Sequence, residues 1–247
     1  MNVGTTSVSH KDCTYELIVR EIPTQKKVYI AFQTASDFSS IEKALSDLIP
    51  QLKILGAKEI FICCKDSSIT LPKSEFLAAG MLFKYDHQMK KLLISPMSNA
   101  LPQKTPDIIL LPLTASLSDT YLKIYNDGFS TVPNFAFYTV EDTVRIMYDS
   151  KFEGGIVQVN GENAGVYELS YEETTPEVAS VALAPAYRGK GYGKKAFRSA
   201  LYKLEQKGFT EAFVLVSTRN IEALSLYTEL GFKDENTLSV WYKHVVL

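Results

Sequence analysis

Several things are scarce in this chain of 247 residues. It has three cysteines, Cys13, Cys63 and Cys64, an odd count without a disulfide framework, as expected in a reducing compartment. It has three histidines, His10, His87 and His244, too far apart for a zinc site. No apolar run approaches the roughly 18 residues needed to span a bilayer, so no membrane partner is expected. The first ten residues lack a basic segment followed by an apolar one, which argues against a signal peptide and makes the cytoplasm the default. Excess charge is missing too. Residues 1–105 carry 13 Lys+Arg against 10 Asp+Glu and the remainder 13 against 18, so neither half has the basic surplus of a nucleic-acid binder.

What the chain does contain is a glycine-rich bend between a strand and a helix. Val178-Ala-Ser-Val-Ala-Leu183 is apolar and β-prone and is closed by Ala184-Pro185. Arg188-Gly-Lys-Gly-Tyr-Gly193 follows, then Lys194-Lys-Ala-Phe-Arg-Ser-Ala-Leu-Tyr-Lys-Leu-Glu-Gln206, whose apolar positions 196, 197, 200, 201 and 204 share one helical face. Unpaired amides and the positive end of a helix dipole converge at such a junction, making an anion site. Glycine permits close approach of the backbone, and Arg188, Lys190, Lys194 and Lys195 add charge suited to a pyrophosphate.

Prolines 96, 102, 106 and 112 mark a linker from Ser95 to Pro112, dividing the chain into domains 1–105 and 106–247. The second half reads as strand 108–111, a helix capped at Ser118-Asp119 and ending near Gly128, and a helix opened by the capping-box form Thr139-Val-Glu-Asp142. A hairpin about Asn160-Gly161 comes next, then the strand at 178–183, the helix to Gly208, strand 212–216, helix 221–230 and a last strand at 238–246. This is a mixed α/β domain of ordinary size. The first half echoes it: Gly56-Ala-Lys-Glu-Ile-Phe-Ile62 parallels Gly208-Phe-Thr-Glu-Ala-Phe-Val214, each placed between two helices, with Gly80 and Gly231 at similar distances beyond. In that register Phe38-Ser-Ser-Ile41 replaces the glycine bend, so the first copy lacks the phosphate cradle.

A second motif, Asn220-Ile-Glu-Ala-Leu-Ser-Leu-Tyr227-Thr-Glu-Leu-Gly231-Phe232, begins 27 residues after Gly193. Together with the bend it resembles the GNAT superfamily of acetyl-CoA-dependent N-acetyltransferases. The resemblance implies a GNAT-like α/β mixed-sheet fold over residues 107–247, preceded by a smaller α/β domain that is a degenerate copy or a scaffold. It implies acetyl-CoA as cosubstrate and an amine acceptor, small molecule or peptide. By the family pattern, backbone amides of Arg188, Gly189, Lys190, Gly191, Tyr192, Gly193 and Lys194 hold the CoA pyrophosphate. Val181, Ala182 and Leu183 pair with the pantetheine arm, Asn220 bonds that arm, and Tyr227 protonates the departing thiolate. Glu177 is the candidate base, with Glu172 and Glu173 as water relays, and a strand bulge would free an oxyanion donor at Val181 or Ala182. Loops 129–138 and 171–176 line the acceptor side, and a homodimer is allowed. The alternative reading is a non-catalytic acetyl-CoA-binding sensor or interaction module. The Cys63-Cys64 pair reads as structural, and the second half has no cysteine for an acyl-enzyme, which favours direct transfer.

Overall fold

The computed structural model describes residues 5–65, 69, 71, 74–97, 107–130, 132 and 137–246. Pro102 and Pro106 of the expected linker, and residues 131 and 133–136 of the expected acceptor loop, lie outside these. The chain forms two compact units, Met1–Met89 with Thr237–Leu247, and Lys90–Asn236. No helix among the described residues is long and apolar enough to cross a membrane.

The first unit is built on β1 (Thr5–His10), β2 (Cys13–Ile18), the short α1 (Ile22–Gln25), β3 (Lys27–Ala35), α2 (Phe38–Ile54), β4 (Glu59–Cys64), β5 (Glu75–Ala78) and the first part of β6 (Met81–Ile94). β1, β2 and β3 pair antiparallel, and β3 runs parallel to β4 through six register pairs, from Lys27↔Glu59 to Phe32↔Cys64. The last strand of the chain, β12 (Lys233–Val245), supplies Tyr242–Val245 as the antiparallel partner of β4. Helix α2 buries Ile41, Ala44, Leu45, Leu48, Ile49 and Leu52 at helical spacing. Asp37 caps it, its Oδ1 accepting from Ser40 N at 2.8 Å.

The expected echo holds in part. Gly56 and Gly208 take φ of +90° and +91°, each just after a helix and just before a strand. The helix expected between Ile62 and Gly80 is not found among the described residues, where Glu75–Ala78 is a strand paired with β6. Alternation of Phe76 and Ala78 inward with Glu75 and Leu77 outward favours the strand.

The second unit contains β7 (Ile108–Pro112), α3 (Ser118–Phe129), α4 (Val140–Tyr148), β8 (Phe152–Val159), β9 (Glu162–Ser170), β10 (Glu177–Leu183), α5 (Tyr192–Gln206), β11 (Ala212–Ser217) and α6 (Ile221–Glu229). The strands lie in the order β7-β8-β9-β10-β11, antiparallel except for the last pair. The β8–β9 hairpin turns on Asn160 and Gly161, at φ +52° and +85°, the left-handed pair that Asn-Gly favours. Thr139 N–H donates to Asp142 Oδ2 at 2.9 Å, closing the expected capping box. α3 differs from expectation at its start. Ser118 is already helical, Leu117 holds the cap position without a side-chain bond, and Asp119 lies in the first turn.

Two cores flank this sheet. Ala196, Phe197, Ala200, Leu201 and Leu204 of α5 are all buried, against Val157, Val159, Tyr167, Val178 and Val214. Each of the larger side chains contributes roughly 2 kcal/mol. Tyr121, Ile124 and Tyr125 of α3 and Ile146 of α4 pack on the other face against Ile156, Val166 and Ala182.

Candidate active site

The two cores hold β10 from both sides, but its two edges are treated differently. Toward β9 it is paired from Glu177↔Ser170 to Leu183↔Gly165, with the register shifting between Val178 and Ser180, so Ala179 is the extra residue of a bulge. Toward β11 a single pair is made, Glu177↔Phe213, after which the parallel strands part. A groove of about 340 Å³ opens there, lined by Val181, Ala182 and Leu183 of β10, Arg188, Gly189 and Gly193 of the bend, and Asn220 and Tyr227 of α6. Gly128 of α3 forms its far wall, where a Cβ would stand 2.9 Å from Ala182 Cβ.

At one end of the groove, Gly189 and Gly191 adopt φ of +70° and +79°. Gly191 is the N-cap of α5 and brings no side chain to cap the first turn, so the amides of Tyr192, Gly193 and Lys194 have no partner within the helix. An added Cβ at either glycine would meet nothing within 4 Å, so it is the backbone conformation that demands glycine. This end has the features of an anion cradle: successive amides, a positive dipole and room.

Two sequence expectations are corrected here. Arg188 N–H donates to Pro185 O at 3.2 Å, closing a short turn, so the amides available for a diphosphate begin at Gly189. The basic side chains are also engaged within the protein. Arg188 Nε donates to Leu183 O at 2.8 Å, Lys190 Nζ to Ala186 O at 2.9 Å, Lys194 pairs with Glu229 at 2.5 Å and Lys195 with Asp107 at 2.6 Å. Their positive charge is partly compensated, which leaves the main chain as the principal donor set. Lys190, Gly191, Tyr192 and Lys194 belong to the bend without lining the groove.

Asn220 caps α6, its Oδ1 accepting from Ala223 N at 3.2 Å, which leaves the Nδ2 amide to donate elsewhere. Tyr227 is half-buried, its ring 5.1 Å from Phe197 and 5.7 Å from Phe232. Burial, and then the charge of Glu177, hold its hydroxyl pKa well above the ordinary tyrosine value. Glu177 is itself pushed up to about 7, mainly by burial and then by Glu168, Glu173 and Glu172, with Lys91 acting the other way. An acid that keeps its proton and a carboxylate poised near neutrality therefore act on each other, Tyr227 from the groove lining and Glu177 from outside it.

Sequence reasoning missed the polar cluster behind β10. Glu168, 2 % exposed on β9, accepts from Tyr138 Oη at 2.9 Å and lies 3.5 Å from Arg145 Nη2. Tyr138, at the end of the loop expected on the acceptor side, stacks on Tyr125 and is clamped by Asn126 through both its N–H and its carbonyl. Nothing in the local pattern marked Glu168, because it is one acid in a strand whose ends, Glu162, Asn163 and Ser170, are polar too. Glu172 and Glu173 are exposed in the loop before β10, and Glu173 is ion-paired to Lys91 at 3.0 Å. Cys13 and Cys63 are buried, and burial pushes the Cys63 thiol up to about 12, which suits a structural role.

Residues 116–232, which contain this site, match the model of the acetyltransferase (GNAT) family. The mycothiol acetyltransferase of Renibacterium salmoninarum is 41 % identical over 56 residues, 23 % of this chain and 17 % of that protein. The mycothiol acetyltransferase of Amycolatopsis mediterranei is 28 % identical over 134 residues, 48 % of this chain and 44 % of that one. The matched stretches thus span less than half the length of these curated relatives. Over the whole fold, a conserved protein of unknown function from Staphylococcus epidermidis superposes with a TM-score of 0.62 at 12 % identity, covering 100 % of this chain and 96 % of that one. A tandem GNAT protein from the clavulanic acid biosynthesis pathway gives 0.58 at 8 % identity, covering 97 % and 83 %. Residues 116–232 are therefore a domain of the acetyltransferase (GNAT) family, whose acetyl donor is acetyl-CoA, in a chain with the fold of a tandem GNAT protein.

Proposed function

We propose that this protein is an N-acetyltransferase that moves an acetyl group from acetyl-CoA to a primary amine by direct attack. The observation that carries the reading is the parting of β10 from β11 beside a groove that has an uncapped glycine bend at one end and Tyr227 in its lining, with Glu177 near enough to Tyr227 for its charge to be felt there. The residues present suit acetyl-CoA: open main-chain amides for its diphosphate, an unpaired strand edge at Val181–Leu183 for its amide-bearing arm, and the Asn220 side chain for a further bond.

Bound there, acetyl-CoA supplies a thioester whose acetyl carbon can accept an amine. Glu177 serves as the base. With a pKa of about 7 it is substantially ionised at neutral pH, yet basic enough to take a proton from an amine directly or through water. Tyr227 keeps its proton at Oη through neutral pH and can give it to a thiolate, whose ordinary pKa is about 8.5. The bulge at Ala179 turns the main chain of β10 ahead of Val181 and Ala182, one of which offers its amide as the oxyanion donor in this reading. Residues 106–247 carry the groove and the proposed catalytic residues, and residues 1–105 are a degenerate copy or scaffold without a coenzyme site. The test is release of free CoA thiol from acetyl-CoA across polyamines, amino acids, aminoglycosides and peptides. Turnover with a primary amine is expected. Tight CoA binding with no turnover on any amine would favour a sensor instead.

A further inference from the structure

The base assigned above is set among acids. Glu168 faces it from β9, Glu172 and Glu173 from the loop before β10, and Tyr227 from α6; Lys91, on β6, opposes the three carboxylates. Arg145 in turn faces Glu168. Lys91 stands before residues 116–232, outside the stretch that matches the family, yet it belongs to the same compact unit.

Its placement is tightly defined. Nζ lies 3.0 Å from Glu173 Oε2 and 3.6 Å from Glu235 Oε2, and 4.1 Å from the centroid of the Phe213 ring. Phe213 is the register partner of Glu177, and its N–H donates to Pro176 O at 3.0 Å. The Lys91 side chain is only 17 % exposed. Two carboxylates and an aromatic face thus hold one ammonium beside the strand that carries the base. Thr175 Oγ1, bonded to Glu211 Oε1 at 2.8 Å, ties down the same loop from β11's side.

We propose that Lys91 is a positioning residue for Glu177: it fastens the 171–176 loop through Glu173 and fixes a positive charge beside the acids that surround the base. This rests on the reading of Glu177 as base. With the ammonium removed, Glu177 would face three carboxylates without this counter-charge and would hold its proton further into the alkaline range. The carboxylate form needed at neutral pH would be depleted.

The test is a ¹³C NMR titration of the Glu177 side-chain carboxyl on the whole chain, assigned by its loss in Glu177→Gln. Lys91→Gln is expected to raise the midpoint by about half a pH unit or more, and Lys91→Arg to leave it near the wild-type value. Glu173→Gln is expected to lower it, because an anion is lost and the ammonium is freed. Simple loosening of the loop would move both neutral variants the same way, toward the ordinary glutamate value. A midpoint unmoved in Lys91→Gln, moved equally by Lys91→Arg, or lowered by both Lys91→Gln and Glu173→Gln overturns the proposal. If Lys91→Gln does not fold, Lys91→Met, which keeps an apolar stem against Phe213, is read in its place with the same expected rise. The titration needs no acceptor and no turnover, so failure to acetylate any amine would remove the proposed function while leaving this role of Lys91 standing.

Discussion

Replacing Glu177 by glutamine should make the second unit more stable at alkaline pH while removing the proposed base. In the folded protein this carboxyl titrates at about 7 against an ordinary value of 4.5. Below 4.5 it is protonated whether the chain is folded or not, so its ionisation costs the folded state nothing. Between 4.5 and 7 the folded state binds more protons than the unfolded state, so stability falls as pH rises. Above 7 the full cost is present. At 1.36 kcal/mol per pH unit the interval corresponds to about 3 kcal/mol, and solvent reaching a half-buried group trims this to roughly 2. Glutamine has nearly the same shape and no charge to bury. Amide hydrogen exchange of β9 and β10, read at pH 5 and pH 8, gives the local opening free energy without requiring the two units to unfold together. The expected result is a variant less affected by pH than the wild type, with an advantage at pH 8 that is mostly gone at pH 5. The same difference at both pH values would show that Glu177 is not held in its protonated form, and the case for it as a near-neutral base would fall.

Other outcomes follow from the same geometry. Tyr227→Phe keeps the ring packed on Phe197 and Phe232 and removes only the proton donor, so kcat should fall about 10²-fold or more with little change in KM for acetyl-CoA, as steady-state kinetics would show. Gly191→Val forces a β-branched residue to a φ of +79°, distorting the amide cradle. CoA affinity measured by calorimetry should drop at least about tenfold, and an unchanged Kd would place the diphosphate elsewhere. The same titration should give one CoA per chain, because β3 and β4 stay zipped through six pairs and Asp37 already caps α2 with a carboxylate. A stoichiometry of two would refute that reading of the first unit.

Much of the second unit was legible because its signals are local. Asn160-Gly161 dictates a tight left-handed turn, Thr139 and Asp142 satisfy each other within one helical turn, and positions 196, 197, 200, 201 and 204 define a buried stripe at the helical period. The candidate site was legible in part for the same reason: a glycine bend before a helix announces uncapped amides. Less visible was what the neighbouring charges do. Lys194 and Lys195 read as pyrophosphate ligands until Glu229 and Asp107, 35 and 88 residues away, are seen to engage them. Glu168 and Lys91 carried no local mark, since their effect on Glu177 depends on side chains meeting across strands.

Residue types and spacings by themselves determined that a glycine bend would open α5, that a helix from about Ile221 would carry Tyr227, and that a mixed α/β domain would hold both. These follow from backbone freedom and hydrophobic period over a few residues. Tertiary structure alone decided that β10 and β11 would separate after one pair while β3 and β4 stay joined, and that a groove would open beside Val181–Leu183. It also decided that Glu177 would titrate near neutrality. Strand separation is settled by what packs on both faces of a sheet, and a carboxyl's proton affinity by how much water and which charges surround it. Both are properties of residues far apart in the chain, so no local pattern can state them.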